Sequence, residues 1–147
     1  MRALVQRVSE ASVTLDERVT GQIGPGLLVL LGIRHDDNEA RAEQLAQKVI
    51  HLRVFSDEQG KMNRSLLDRS GELLVVSQFT LYADTSKGNR PSYSEAANRD
   101  LAERLYEYFI EQCRRWNVPV ATGVFQAHMK VKLVNDGPVT ILCVSES

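Results

Sequence analysis

Two short stretches combine residue types and spacing that suit chemistry. The first is Ser77-Gln78-Phe79-Thr80-Leu81, two hydroxyls and a carboxamide that close an apolar run, Leu73-Leu74-Val75-Val76. A hydroxyl nucleophile needs a base within hydrogen-bond reach, and a glycine-flanked elbow is the usual way to expose a serine. Ser77 has no flanking glycine, and His35, His51 and His128 have no paired spacing and no acidic partner at a helical offset. His51 reads as a helix-end or core histidine and Thr80 as a hydroxyl satisfied at a strand end. Such a site positions a substrate better than it attacks one, although an esterase with Thr80 as nucleophile stays open. The second stretch is Asn135-Asp136-Gly137-Pro138-Val139-Thr140. Its Gly tolerates positive φ and its Pro offers no N–H, so it is a turn between two β-type segments, a hairpin on the plainest reading.

Metal and cofactor chemistry have no counterpart motif. HExxH, CxxC, phosphate-loop and GxGxxG patterns are absent, and Cys113 and Cys143 lie far apart without ligand spacing. No cofactor and no metal site are expected.

The elements that must hold these stretches can be read from periodicity. Residues 1–10 alternate as a strand, and residues 12–15 and 18–23 flank Asp16-Glu17 as a short hairpin. Gly24-Pro25-Gly26 breaks the chain, and the apolar run 27–33 that follows is a strand buried on both faces. Ala42, Leu45, Ala46, Val49 and Ile50 fall at i, i+3, i+4, i+7 and i+8 behind the capping residues Asp36, Asp37 and Asn38, which predicts a first helix. A short strand at 52–55 and a second buried strand at 73–81 come next. A second helix is expected over 96–116, with capping-box spacing at Ser92-Tyr93-Ser94-Glu95, and a further strand over 120–125. Hairpins at both ends with two helices between predict an α+β single domain over residues 1–147, with a mostly antiparallel or mixed, barrel-like sheet.

At 147 residues, 25% charged and 43% hydrophobic, the chain has the make-up of one soluble globular domain. Met1 to Arg7 lacks an apolar signal region, and no segment approaches the roughly 18 apolar residues of a membrane span, so a cytoplasmic protein with no membrane partner is expected. A formal net charge of −1 announces no nucleic-acid partner globally.

Together, the two stretches resemble the signature motifs of D-aminoacyl-tRNA deacylases, in the family's order and separation, and Gly88-Asn89-Arg90-Pro91-Ser92 fits its pattern between them. Arg7 stands where that family has an arginine steadying a Gly-Pro turn. The resemblance implies a homodimer whose active site lies at the subunit interface, with a cis Gly137-Pro138 turn inserted into the partner's pocket. It implies hydrolysis of the ester between a D-amino acid, or glycine, and the terminal ribose of tRNA, with L-aminoacyl groups rejected by main chain. The terminal 2′-hydroxyl of the RNA would assist in place of a catalytic side chain. Ser77 and Gln78 would hold ribose and ester, backbone N–H groups around Phe79 and Thr80 would face the oxyanion, and Phe79, Phe125 and Met129 would shape the adenosine pocket. For Phe125 and Met129 a core role fits equally well. The partner would be the acceptor end of aminoacyl-tRNA, with Lys87, Arg90, Arg99, Lys130 and Lys132 at the cleft edge. A non-enzymatic dimeric nucleic-acid-binding protein is the rival from another class.

Overall fold

One strand carries the architecture. β1 (Arg2–Leu15) is 14 residues long and alternates buried Ala3 and Val5 with half-buried neighbours. Along its first half it pairs antiparallel with β3 (Gly26–Gly32), and along its second half with β2 (Arg18–Ile23). The turn between β1 and β2 has Asp16 at φ 47° and Glu17 at φ 66°, the conformation that twists a two-residue hairpin correctly. The computed structural model describes residues 1–146.

After β3 the chain forms α1 (Glu39–His51), a two-stranded ribbon of β4 (Phe55–Ser56) and β5 (Met62–Arg64), and then β6 (Glu72–Ser77). α2 (Arg99–Arg114) follows, then β7 (Val120–Thr122) and β8 (Lys130–Val144). β6 lies parallel to β3 and β7 parallel to β6. Parallel neighbours require crossovers, and each of the two helices serves one, so the sheet is mixed as expected. β2 closes over β7 to make it nearly barrel-shaped. There Gly21 lies so close that an added Cβ would stand 2.4 Å from the Thr122 carbonyl oxygen. Leu27, Val29, Leu31, Leu73 and Val75 pack under the helices, while Leu28, Leu74 and Val76 fill the opposite side with Val8, Ala11 and Val13.

Several boundaries differ from the periodicity: the short strand expected at 52–55 is confined to Phe55–Ser56, and four others differ for local reasons. α2 begins three residues late, capped by Asn98, whose side chain accepts from the Leu101 amide. The supposed capping box is occupied elsewhere: Glu95 accepts from the His35 amide and pairs with Arg34, and Ala97 donates to the Ile33 carbonyl. β6 stops at Ser77 and tightens into a 3-10 turn, Phe79–Tyr82. β7 stops at Thr122, before Gly123 and a turn with Gln126 at φ 63°. Finally, the segments around Asn135–Val139 do not fold back on one another. Both run along β1 as one strand, and residues 136–139 bulge out between the pairs Gln6–Thr140 and Val8–Asn135.

Candidate active site

Arg7 and Asn135 fasten the bulge in β8. Arg7 Nε donates to the Asp136 carbonyl at 2.8 Å and Nη1 to the Val54 carbonyl at 2.6 Å. The Asn135 carboxamide accepts from the Val139 amide at 2.8 Å, and its Nδ2 donates to the Val139 carbonyl, Thr140 Oγ1 and Gln6 Oε1 at 3.0–3.3 Å. Between these braces the Gly137–Pro138 peptide bond is cis. Gly137 has φ 151°, and an added Cβ would meet the Val139 nitrogen at 2.8 Å and Arg7 Nη2 at 3.2 Å. Residues 136–138 are exposed, so the bulge is a clamped main-chain wedge with its tip in solvent.

The Ser77–Thr80 stretch sits at the carboxyl end of β6. Gln78 donates its amide N–H to the Leu31 carbonyl (2.8 Å), which stops the strand against β3. Gly32 lies beneath, where an added Cβ would be 3.2 Å from the Gln78 carbonyl oxygen. The amides of Phe79 and Thr80 are first in the 3-10 turn, where N–H groups have no acceptor within the turn, and no backbone acceptor is seen for them among the described residues. Gln78 Nε2 donates to Thr80 Oγ1. A carboxamide N–H cannot take a proton from a hydroxyl, so this contact orients Thr80 without activating it. The Phe79 ring is 55% exposed and meets Tyr93 edge-to-face with centroids 5.0 Å apart, which sets it against the 83–94 loop.

Both termini secure the far end of the 3-10 turn. Arg2 Nη1 donates to the Leu81 carbonyl (3.1 Å), and its guanidinium lies 4.5 Å above the Tyr82 ring. Glu146 Oε1 accepts from Tyr82 Oη (2.9 Å) and Arg2 Nε (3.1 Å). Burial acts to raise the Glu146 pKa, but the Tyr82 and Arg2 bonds outweigh it and hold the carboxyl below its ordinary value. Burial and that same carboxylate push the Tyr82 hydroxyl upward.

Within one chain the two stretches stay apart. Ser77 aligns with Leu31 and hence with Ala3, whereas the wedge leaves β8 at the level of Arg7. That is four residues, or roughly 13 Å, along the strands and three strand spacings, or roughly 14 Å, across them. Phe125 and Met129 lie beyond β7, whose Thr122 pairs with Val75, two residues before Ser77. Phe125 packs on Tyr106 at 5.7 Å, and Met129 Sδ accepts from the Val124 amide at 3.3 Å, so both have packing duties. Lys87 and Arg90 are exposed on the 83–94 loop, Arg99 reaches Glu103 only at 3.9 Å, and Lys130 and Lys132 line the outer side of β8. Gln6, Asn135, Val54, Arg2, Tyr82 and Glu146 escaped the sequence reading as braces. Only Asn135 carried a signal, as an amide beside a Gly-Pro turn. Among the described residues no cluster of His, Cys, Asp and Glu could hold a metal ion, and no helix is long and apolar enough to cross a membrane.

A solved structure described as a c-Myc DNA Unwinding Element Binding Protein superposes with a TM-score of 0.94 at 43% identity over 100% of both chains. Another, described as a probable eukaryotic D-amino acid tRNA deacylase, has a TM-score of 0.83 at 16% identity over 97% of both and shares the fold. The chain is 58% identical over 146 residues to the D-aminoacyl-tRNA deacylase of Thermosipho africanus, covering 99% of this chain and 98% of the relative. It is 63% identical over 141 residues to that of Thermomicrobium roseum, covering 96% and 92%. The family model described as D-Tyr-tRNA(Tyr) deacylase matches residues 4–144, across both motifs and the strands that hold them, and the chain belongs to that family.

Proposed function

We propose that this chain is a homodimeric D-aminoacyl-tRNA deacylase that frees the amino acid and tRNA and leaves L-aminoacyl-tRNA intact. The separation of its two motifs supports the dimer, because one aminoacyl group cannot touch both within a protomer. A second copy supplies the missing half. The sheet face turned away from the helices is suited to it: Leu142 and Val144 are 52% and 50% exposed there, and Leu4 is paired between Leu142 and Leu30. Exposed apolar residues grouped on one face mark a contact surface, and this face runs directly into the wedge.

In the assembled site, Ser77 and Gln78 hold the terminal ribose and the ester, and Phe79 stacks on the adenine with Phe125 and Met129 behind it. Main-chain carbonyls of the partner's wedge accept hydrogen bonds from the α-ammonium. The wedge also fills the space that an L side chain would need, so selection works by exclusion. Glycine presents nothing to exclude, and glycyl-tRNA is cleaved too. The Phe79 and Thr80 amides stabilise the oxyanion as water attacks the ester carbonyl. With Thr80 bound to a carboxamide and no side-chain base on it, the terminal 2′-hydroxyl orients the water, and the leaving 3′-oxygen takes up a proton as the ester bond breaks. Lys87, Arg90 and Lys132 neutralise phosphates locally, which a chain of net charge −1 can still do.

Incubation with D-tyrosyl-tRNA and L-tyrosyl-tRNA tests the proposal: only the D ester, and glycyl-tRNA beside it, should hydrolyse faster than in buffer. D-tyrosyl-tRNA ending in 2′-deoxyadenosine should be cleaved far more slowly. Equal hydrolysis of both enantiomers would sink the wedge. The likeness to the c-Myc DNA Unwinding Element Binding Protein, at 43% identity, favours a second reading, a dimeric nucleic-acid-binding protein. Binding of uncharged nucleic acid with no hydrolysis of either ester would establish it.

A further inference from the structure

The ends of α1 and α2 bring together an aromatic and cationic groove that the chemistry above does not use. Trp116, just past α2, is 38% exposed and meets His51, the last residue of α1, edge-to-face at 4.6 Å. Lys48 and Arg53 border one side of the indole and Arg115 the other. Lys48 has no ion-pair partner among the described residues, Arg53 Nε donates only to the Asn63 carbonyl, and Arg115 reaches Glu111 at a long 3.9 Å. Among the described residues, Glu43 is the one carboxylate lining the groove; Glu111 reaches Arg115 from outside it, and Asp68 lies close enough to feel the charge of Arg53. Beside Trp116, Gln112 is 6% exposed, yet its Nε2 has no hydrogen-bond partner among the described residues. A buried, unpartnered N–H is costly and suits an incoming acceptor oxygen.

The groove's place relative to the wedge gives it a role. Arg7 donates to both Asp136 and Val54, so the chain leaving α1 and the wedge hang on one guanidinium. Val54 lies three residues from His51, at most about 10 Å of extended chain. Arg53, which borders the groove, is the residue just before Val54, so in the dimer proposed above the groove would follow the wedge toward the partner's site.

We infer that the groove docks the acceptor arm of the RNA whose terminal adenosine lies in the partner subunit's site, with Lys48, Arg53 and Arg115 on phosphates and Trp116 against a base or sugar. This rests on the deacylase reading above. Charge complementarity selects RNA: a local excess of cations around a stacking surface, in a chain of net negative charge, is the footprint of a polyanion with planar groups.

The test compares two substrates, D-tyrosyl-tRNA and the D-tyrosyl ester of the CCA trinucleotide, which is too short to reach the groove. The variants are Trp116→Ala and the double exchange Lys48→Glu with Arg53→Glu. Because the indole packs on His51, the double exchange at exposed side chains keeps the test valid if Trp116→Ala unfolds. KM for D-tyrosyl-tRNA should rise about tenfold or more, and removal of two cations should lower the log–log salt slope by nearly 2. The trinucleotide ester should react as with the unmodified protein. Unchanged KM and salt slope on tRNA would overturn the docking, as would equal losses on both substrates, which would place the effect in the fold or the wedge. If the unmodified protein cleaves neither ester, the deacylase reading itself fails, and the docking with it.

Discussion

The wedge and the 3-10 turn carry the two halves of one proposed site and are held in opposite ways. The wedge is braced by its near neighbours in the sheet. Asn135 bonds Val139 and Thr140, four and five residues on, and Arg7 and Gln6 reach it from the adjoining strand β1. The 3-10 turn is held by the extremities of the chain, with Arg2 on Leu81 and Glu146 on Tyr82, while Met1 and Ser145 pair their backbones beside them at 2.9 Å. A filter that must exclude a side chain needs a rigid main chain, and the bulge's own Asn135 and the strand beside it supply that. A turn that must present amides needs its ends fixed, and contacts from residues near the two ends of the sequence suffice for that.

Breaking the wedge should have the largest effect. Alanine at Gly137 places a Cβ 2.8 Å from the Val139 nitrogen, at a φ that L side chains rarely adopt. We expect Gly137→Ala to lower kcat/KM for D-tyrosyl-tRNA by about 100-fold or more, equivalent to about 2.7 kcal/mol. The strain should also lower Tm, so the rate is compared at a temperature where both proteins are folded; full activity there would show that the tip faces no substrate. Arg7→Ala comes next. It strips two carbonyls of a charged donor, each bond being worth about 1.5–3 kcal/mol. A loosened wedge excludes less, so the ratio of D to L hydrolysis should fall about tenfold, or about 1.4 kcal/mol. A fall in rate with the ratio intact would show that Arg7 supports the fold and not the filter.

The same contrast explains what could be read from sequence. Motifs whose partners are close in the chain, such as Asn135-Asp136-Gly137-Pro138 and the Asn38 cap of α1, announce themselves through residue type and spacing. The buried strands and both helices were legible because hydrophobic periodicity reports burial directly. Strand pairing was not. The β8 bulge looks like a hairpin because a Gly-Pro turn signals a reversal of direction, and only its register with β1 shows that the strand continues. The brace on the 3-10 turn was invisible for a stronger reason: Arg2 and Glu146 lie 144 positions apart, and nothing local marks either as a partner of Tyr82. Glu95 misled because capping chemistry was read where a tertiary pairing with Arg34 had claimed the side chain.

Loosening the 3-10 turn should cost less than loosening the wedge. Tyr82→Phe removes one hydrogen bond and Glu146→Gln removes the charge opposite Arg2 on a partly exposed latch, each about 0.5–1.5 kcal/mol, with a few-fold fall in kcat and little change in KM. The pH dependence follows from the depressed carboxyl. Its stabilising contribution is complete above the ordinary glutamate range and fades as pH falls through the lower folded-state value. Acid melts of the parent and Glu146→Gln proteins should therefore converge as pH drops below about 4.3. Curves that stay the same distance apart down to the most acid pH would show that the ionised carboxylate contributes nothing to stability.

The smallest effect should come from Thr80, and its smallness is informative. Its hydroxyl accepts from Gln78 and meets no base, so its removal takes away a side-chain contact while the backbone amide proposed for the oxyanion remains. Thr80→Ala should keep kcat/KM for D-tyrosyl-tRNA within about fivefold of the parent, or about 1 kcal/mol. An esterase that used Thr80 as its nucleophile would instead lose about 10⁴-fold or more, as enzymes do when the attacking oxygen is deleted. Thr80→Pro sharpens the contrast, since proline deletes the amide that alanine keeps. If alanine is tolerated and proline is not, with both proteins folded, the turn acts through its main chain, as the wedge does.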